Sequence, residues 1–132
     1  MINSLNPRNL KHFLDRFENF NDSILICFSC EMPRGESETI CSVELEAKDN
    51  DSDDGWSRVT LLFSEVISWK FDVSLNTAYY IMSNGIHIHY EQEHFYLDMS
   101  NLVDYSPNIS DYQSSRFHFI SKIISWKAIE VN

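Results

Sequence analysis

Apolar residues are spaced as in a helix at the start of the chain and as in strands almost everywhere after it. Leu10, Phe13, Leu14 and Phe17 recur on one helical face, while Arg8, Lys11, Asp15 and Glu18 occupy much of the remainder. Asn6 can cap this helix and Pro7 suits its first position, so an amphipathic N-terminal helix is predicted, lying on a sheet with its charged side in water. Asn19, Asn21 and Asp22 interrupt the pattern. Ile24 to Cys30 is then a short apolar run of strand length, closed by a turn signal at Pro33, Arg34 and Gly35. The clearest strand follows: Cys41, Val43, Leu45 and Ala47 alternate with Ser42, Glu44, Glu46 and Lys48, the period of a half-buried strand with one acidic, wet face.

A polar stretch from Asp49 to Gly55 leads into a third strand that starts near Trp56 and carries Val59, Leu61 and Phe63, and residues 66–71 continue in the same style. Tyr79 to Met82 and Ile86 to Tyr90 flank Ser83-Asn84-Gly85. Asn-Gly between apolar runs predicts a tight hairpin, because such a turn needs positive φ at both central residues. Phe95, Leu97 and Met99 form another alternating strand, followed by a polar loop through Ser106, Pro107, Asn108 and Ser110. In the last strand, Phe117 to Val131, the alternation changes near Ile123 and Ile124, which predicts a bulge or bend. Ile-Ser-Trp-Lys occurs at 67–70 and again at 124–127, as a structural pseudo-repeat or as a coincidence of four residues. The fold expected is α+β: a mostly antiparallel sheet of seven or eight strands, as a sandwich or a strongly curved sheet, with one N-terminal amphipathic helix.

Composition adds to this. At 132 residues, with 43% apolar and 23% charged, the chain has material for one core and is expected to form a single domain over residues 1–132. The formal charge of −10 is unevenly placed. Residues 1–30 balance three acids with three bases, whereas residues 31–115 set sixteen acids against four bases, and no Lys or Arg falls between Lys70 and Arg116. Such a field repels phosphate backbones and anionic membranes and attracts basic partners, so nucleic acid and membrane are not expected as partners. No apolar run approaches the roughly 18–20 residues that cross a bilayer, and a soluble, cytoplasmic protein is expected.

Candidate chemistry is sparse. Cys27, Cys30 and Cys41 are an odd set, and a disulfide framework is not expected. Cys27 and Cys30 have C-x-x-C spacing without a second pair, and on a strand they point to opposite faces, so buried cysteine acting as a small apolar residue is the simpler reading. His87, His89 and Glu91 share one face of a strand, with His94 just beyond. They make either a metal-chelating pair or the polar outer face of an amphipathic strand whose inner face is Ile86, Ile88 and Tyr90. Asp49, Asp51 and Asp53 match the first three ligand positions of a calcium loop, but Asp54 stands where its glycine belongs and Thr60 where its glutamate belongs. No phosphate-binding glycine loop and no nucleophile-elbow or zincin motif occurs. No catalytic residue, metal or cofactor is therefore assigned, and an enzyme is not expected.

Phe20-Asn21-Asp22-Ser23-Ile24, Leu62-Phe63-Ser64-Glu65-Val66 and the stretch from Phe119 to Trp126, in a small acidic mostly β chain, resemble immunity proteins of bacterial polymorphic-toxin systems, including contact-dependent growth inhibition. The resemblance implies a cytosolic inhibitor that binds a cognate toxin domain, often a nuclease with a basic cleft. A generic interaction or structural module is the alternative, and a metal enzyme using His87 and His89 a more distant one. The expected contact surface is the outer face of the second strand with its loop: Glu44, Glu46, Asp49, Asp51, Asp53 and Asp54, with Trp56 as an aromatic anchor or, equally, a core residue at a strand start.

Overall fold

Two long antiparallel strands form the spine of the molecule. The computed structural model describes residues 2–32, 35, 38–72, 80–100 and 108–131. In chain order the elements are β1 (Asn3–Ser4), α1 (Leu10–Arg16), a 3₁₀ turn (Glu18–Phe20), β2 (Ser23–Glu31), β3 (Ile40–Lys48), β4 (Trp56–Phe71), β5 (Tyr80–Met82), β6 (His87–Glu91), β7 (His94–Asp98), α2 (Ile109–Ser114) and β8 (Phe117–Glu130). All eight strands belong to one curled sheet in the order β5-β2-β3-β4-β8-β7-β6, with β1 also on β8, and every pairing is antiparallel. The curved sheet, not the sandwich, is the observed arrangement.

The spine is the pair β4 and β8, in register from Ser57↔Glu130 to Phe71↔Phe117. Both strands change the face they bury part-way along. Phe63 and Ile124 point inward, and so do Val66 and Ser121, an odd number of residues later. Glu65 absorbs the change with a φ of 50°, and the register shifts between Val66 and Ser68, leaving Ile67 62% exposed. The bend predicted on the last strand is thus shared, with the extra residue on β4.

The inner face holds Cys41, Val43, Leu45, Val59, Leu61, Phe63 and Ile124, all fully buried. Over it lie α1 and the 3₁₀ turn, whose Phe13 and Phe17 meet the Trp126 ring at 5.1 and 5.5 Å and whose Phe20 packs on both. Burying each of these side chains contributes about 2–3 kcal/mol. The helix is shorter than predicted. Asn6 Oδ1 accepts from the backbone N–H groups of Arg8 and Asn9 at 2.9 Å, which folds Pro7 into a turn and delays the helix to Leu10. In place of the expected N-terminal amphipathic helix there are two turns behind a short strand, with Phe13 the one buried residue of α1. Glu18, Asn19 and Phe20 then take left-handed φ of 52°, 56° and 59°, reversing the chain into β2.

Three further expectations are corrected. The Asn84-Gly85 turn exists, but β5 and β6 leave it for opposite ends of the sheet: β5 pairs with β2 and β6 with β7. Gly85 is needed there, since a Cβ would sit 2.2 Å from the Asn19 carbonyl oxygen. The real hairpin is β6–β7, turned by Gln92 and Glu93 at φ of 51° and 65°. The stretch read as a polar loop contains α2, opened by a reciprocal cap in which Asn108 Oδ1 accepts from Asp111 N and Asp111 Oδ2 accepts from Asn108 N. Cys30 and Cys41, directly opposed on β2 and β3 with Cα atoms 4.1 Å apart, form a disulfide, while Cys27 is exposed and free. Strand register, invisible in cysteine spacing, brings the pair together.

The two Ile-Ser-Trp-Lys copies are not equivalent: Ile67 is the exposed residue of the bulge, whereas Ile124 is fully buried. The turn residues Pro33 and Arg34, Tyr79, and the loop positions Ser106 and Pro107 lie outside the described residues. Among the described residues no helix is long and apolar enough to cross a membrane.

Candidate functional site

The outer face of the sheet is built in cross-strand rows. Ile81, Ile24, Glu46, Arg58 and Ile129 stand in register across five strands, and the neighbouring row runs Cys27, Glu44, Thr60 and Lys127. Lys48 opposes Trp56 at the edge nearest the β3–β4 loop. Charges here are mostly matched. Arg58 Nη2 donates to Glu46 Oε1 at 3.0 Å and its Nε lies 3.5 Å from Glu44, while Lys48 Nζ reaches Asp22 at 3.3 Å. The strand face that reads as acidic in sequence is compensated by a cross-strand arginine and leaves apolar side chains in the open: Ile81 is 40% exposed and Ile129 63%.

Uncompensated charge lies in the loop. Asp53 and Asp54 are exposed and Asp51 is loosely held, 3.5 Å from Arg16 Nε. The loop is ordered from within: Asp49 N donates to Gly55 O, Gly55 N to Ser52 O, Ser52 Oγ to Trp56 O, and Asp53 N to Glu130 Oε1. Asp49 does not belong to this surface. It continues the inward alternation of Cys41 to Ala47, is 2% exposed, and accepts two hydrogen bonds from Arg16, at 2.9 and 3.1 Å, and one each from Ser57 Oγ and Asp51 N. Burial pushes its carboxyl pKa up, but these donors outweigh burial and hold it below the ordinary carboxylate value. The same bond raises Arg16. Asn50 completes the anchor, donating through N to Arg16 O and through Nδ2 to Asp15 O, so the loop caps the C-terminus of α1.

Of the seven residues singled out in sequence, the structure therefore groups Asp51, Asp53, Asp54 and Trp56 at one end, clamps Glu44 and Glu46 to Arg58, and turns Asp49 inside. Trp56 is 37% exposed and lines an open cleft of about 320 Å³ together with Ile24, Glu46, Asp54 and Val131. A second cleft, of about 450 Å³, lies between β1, α1 and Trp126, with Asn3, Ser4, Asn9, His12, Phe13 and Arg16 on its walls. Elsewhere the carboxylates are dispersed, for example Glu31 and Glu38 near the β2–β3 connection and Glu91 and Glu93 at the β6–β7 turn.

The histidines go to a different environment. His87 opposes Asp98 on β7, and Asp98 opposes His118 on β8. Asp98 is fully buried; its Oδ1 accepts from Ser100 Oγ and Ser115 Oγ, and its Oδ2 lies 3.9 Å from His87 Nδ1 with no hydrogen bond to either atom among the described residues. His118 is held by Ser115 O at 2.8 Å and Ser68 Oγ at 2.9 Å. His89 turns instead to Glu91, and its ring lies parallel to Tyr112 of α2. Tyr112 has its phenol pushed up to about 12 by burial, with Asp98 and Asp111 adding to the shift. The row is the roofed underside of α2, and sequence reasoning missed it because Ser115 and His118 acquire their role only from register. Among the described residues no group of three or more His, Cys, Asp or Glu is placed to hold a metal ion. No family model, curated protein or solved structure matches the chain.

Proposed function

We propose that the chain acts by occupying a partner and performs no reaction of its own: it docks a basic protein through the outer sheet face and the β3–β4 loop. The observation that carries this reading is the pairing of exposed apolar side chains, Ile81, Ile129 and Trp56, with an adjoining ordered turn whose Asp53 and Asp54 have no cation beside them among the described residues. Apolar area supplies affinity, the unmatched carboxylates supply orientation and speed of encounter, and a tryptophan at their junction is the usual form of an interface hot spot. The resemblance to immunity proteins gives the partner its class, a cytosolic toxin domain with a basic surface, and inhibition is then steric.

Co-expression with the product of the gene immediately upstream tests the reading. The expected result is rescue of growth and a stable complex whose association rate falls as salt is raised. Absence of both rescue and complex refutes it.

A further inference from the structure

We propose that the cleft beside Trp56 receives the side chain of an arginine presented by the basic partner; this rests on the docking reading above and names the group recognised. The cleft's volume of about 320 Å³ is at the lower end of ligand pockets, roughly 300–1,000 Å³, which suits one long side chain better than a folded element. Its walls divide by chemistry. Ile24, Val131 and Trp56 are apolar and make most of the lining, whereas Asp54 and Glu46 are acidic residues on the same walls. Glu46 Oε1 accepts from Arg58 Nη2, and the other Glu46 oxygen makes no hydrogen bond among the described residues; Asp54 makes no side-chain hydrogen bond or ion pair there.

An apolar guest would cover Asp54 and strip its water without replacing it, which is costly. A lysine would return the charge but is strongly hydrated and presents a point, not a plane. A guanidinium lies flat on an indole, forks onto a carboxylate and carries an aliphatic stem that Ile24 and Val131 can cover. Arg58 and Lys48 do not already serve this purpose, since they are held by Glu44 and Glu46 and by Asp22.

The test titrates the whole protein with Nα-acetylarginine amide while the Trp56 indole N–H resonance is followed by NMR, assigned by its loss in Trp56→Phe. The uncharged isostere Nα-acetylcitrulline amide is the control. A saturable shift is expected at millimolar arginine amide, weaker by about fivefold with citrulline amide and by a similar factor in Asp54→Asn. No shift, equal binding by the two amides, or indifference to Asp54→Asn overturns the inference, as does concentration-dependent broadening of the same resonance without ligand, which would assign the cleft to a second copy of the chain. The two readings fail separately. If the partner binds the wild-type chain and its association is slowed by Asp53→Asn with Asp54→Asn, yet arginine amide does not shift the Trp56 resonance, the arginine is wrong and the docking surface stands. If the partner does not bind the wild-type chain at all, both fall, whatever the amide does.

Discussion

The two ends of the sheet treat their polar residues in opposite ways. At the β3–β4 end, Asp53 and Asp54 stand in water on a loop held from below by one buried ion pair, Arg16 with Asp49. At the β6–β7 end, His87, Asp98 and His118 form a cross-strand row roofed by α2, with two facing atoms that make no hydrogen bond among the described residues. In sequence both ends look like chemistry, as Asp-x-Asp-x-Asp and His-x-His. The difference teaches that exposure decides which polar motif can meet a partner, and that exposure follows from which face of which strand finds a cover.

The contrast breaks most severely at Asp98. Asp98→Ala leaves Ser100, Ser115 and His87 facing a void and is expected to cost about 3 kcal/mol, read as a lowered urea midpoint. Breaking the anchor at the other end comes next. Arg16→Ala strands the buried Asp49 and should cost about 2–3 kcal/mol in the same assay, with added protease sensitivity at residues 50–55.

The anchor also has a pH signature. Asp49 has a folded-state pKa below its unfolded value of 3.8, so its contribution is complete above that value and is lost as pH falls through the folded one. In Asp49→Asn the stability profile below about pH 4 should be flatter than in the parent. Reduction of Cys30–Cys41, or Cys41→Ser, opens a ring of about a dozen residues and should cost about 2–3 kcal/mol, seen as a thermal midpoint that falls when reductant is added to the parent but not to the variant.

The smallest effect on stability sharpens the comparison. Asp53→Asn with Asp54→Asn should leave the urea midpoint within about 0.5 kcal/mol of the parent. The same pair should slow partner association severalfold at low salt and hardly at all at high salt. A stability loss equal to that of Asp98→Ala would erase the distinction between the two ends.

How much of this was legible follows from which interactions are local. The alternation in β3 placed Cys41, Val43, Leu45 and Ala47 inside, and one more step of the same alternation would have placed Asp49 inside too. The Asn108 and Asp111 cap of α2 is also readable, three residues apart, although Ser106, Pro107 and Ser110 around it give the stretch the composition of a loop. The hairpin was misread because turn chemistry is local while strand partnership is not: Asn84-Gly85 makes a good turn, yet β2 and β7 compete successfully for the strands on either side. Gln92 and Glu93 form the tight turn against their preference, at the cost of left-handed backbone in two residues with side chains. The disulfide, the Arg58 clamp and the row from His87 to His118 rest on register between segments distant in sequence, and no spacing rule reports that.

The capping of α1 by Asn50 has a mechanical corollary. Because the first helix ends on the backbone and side chain of the same loop that presents Asp53 and Asp54, whatever levers that helix off the barrel-like interior also unbolts the loop's footing. The N-terminal helix and the loop are two handles on one hinge pin.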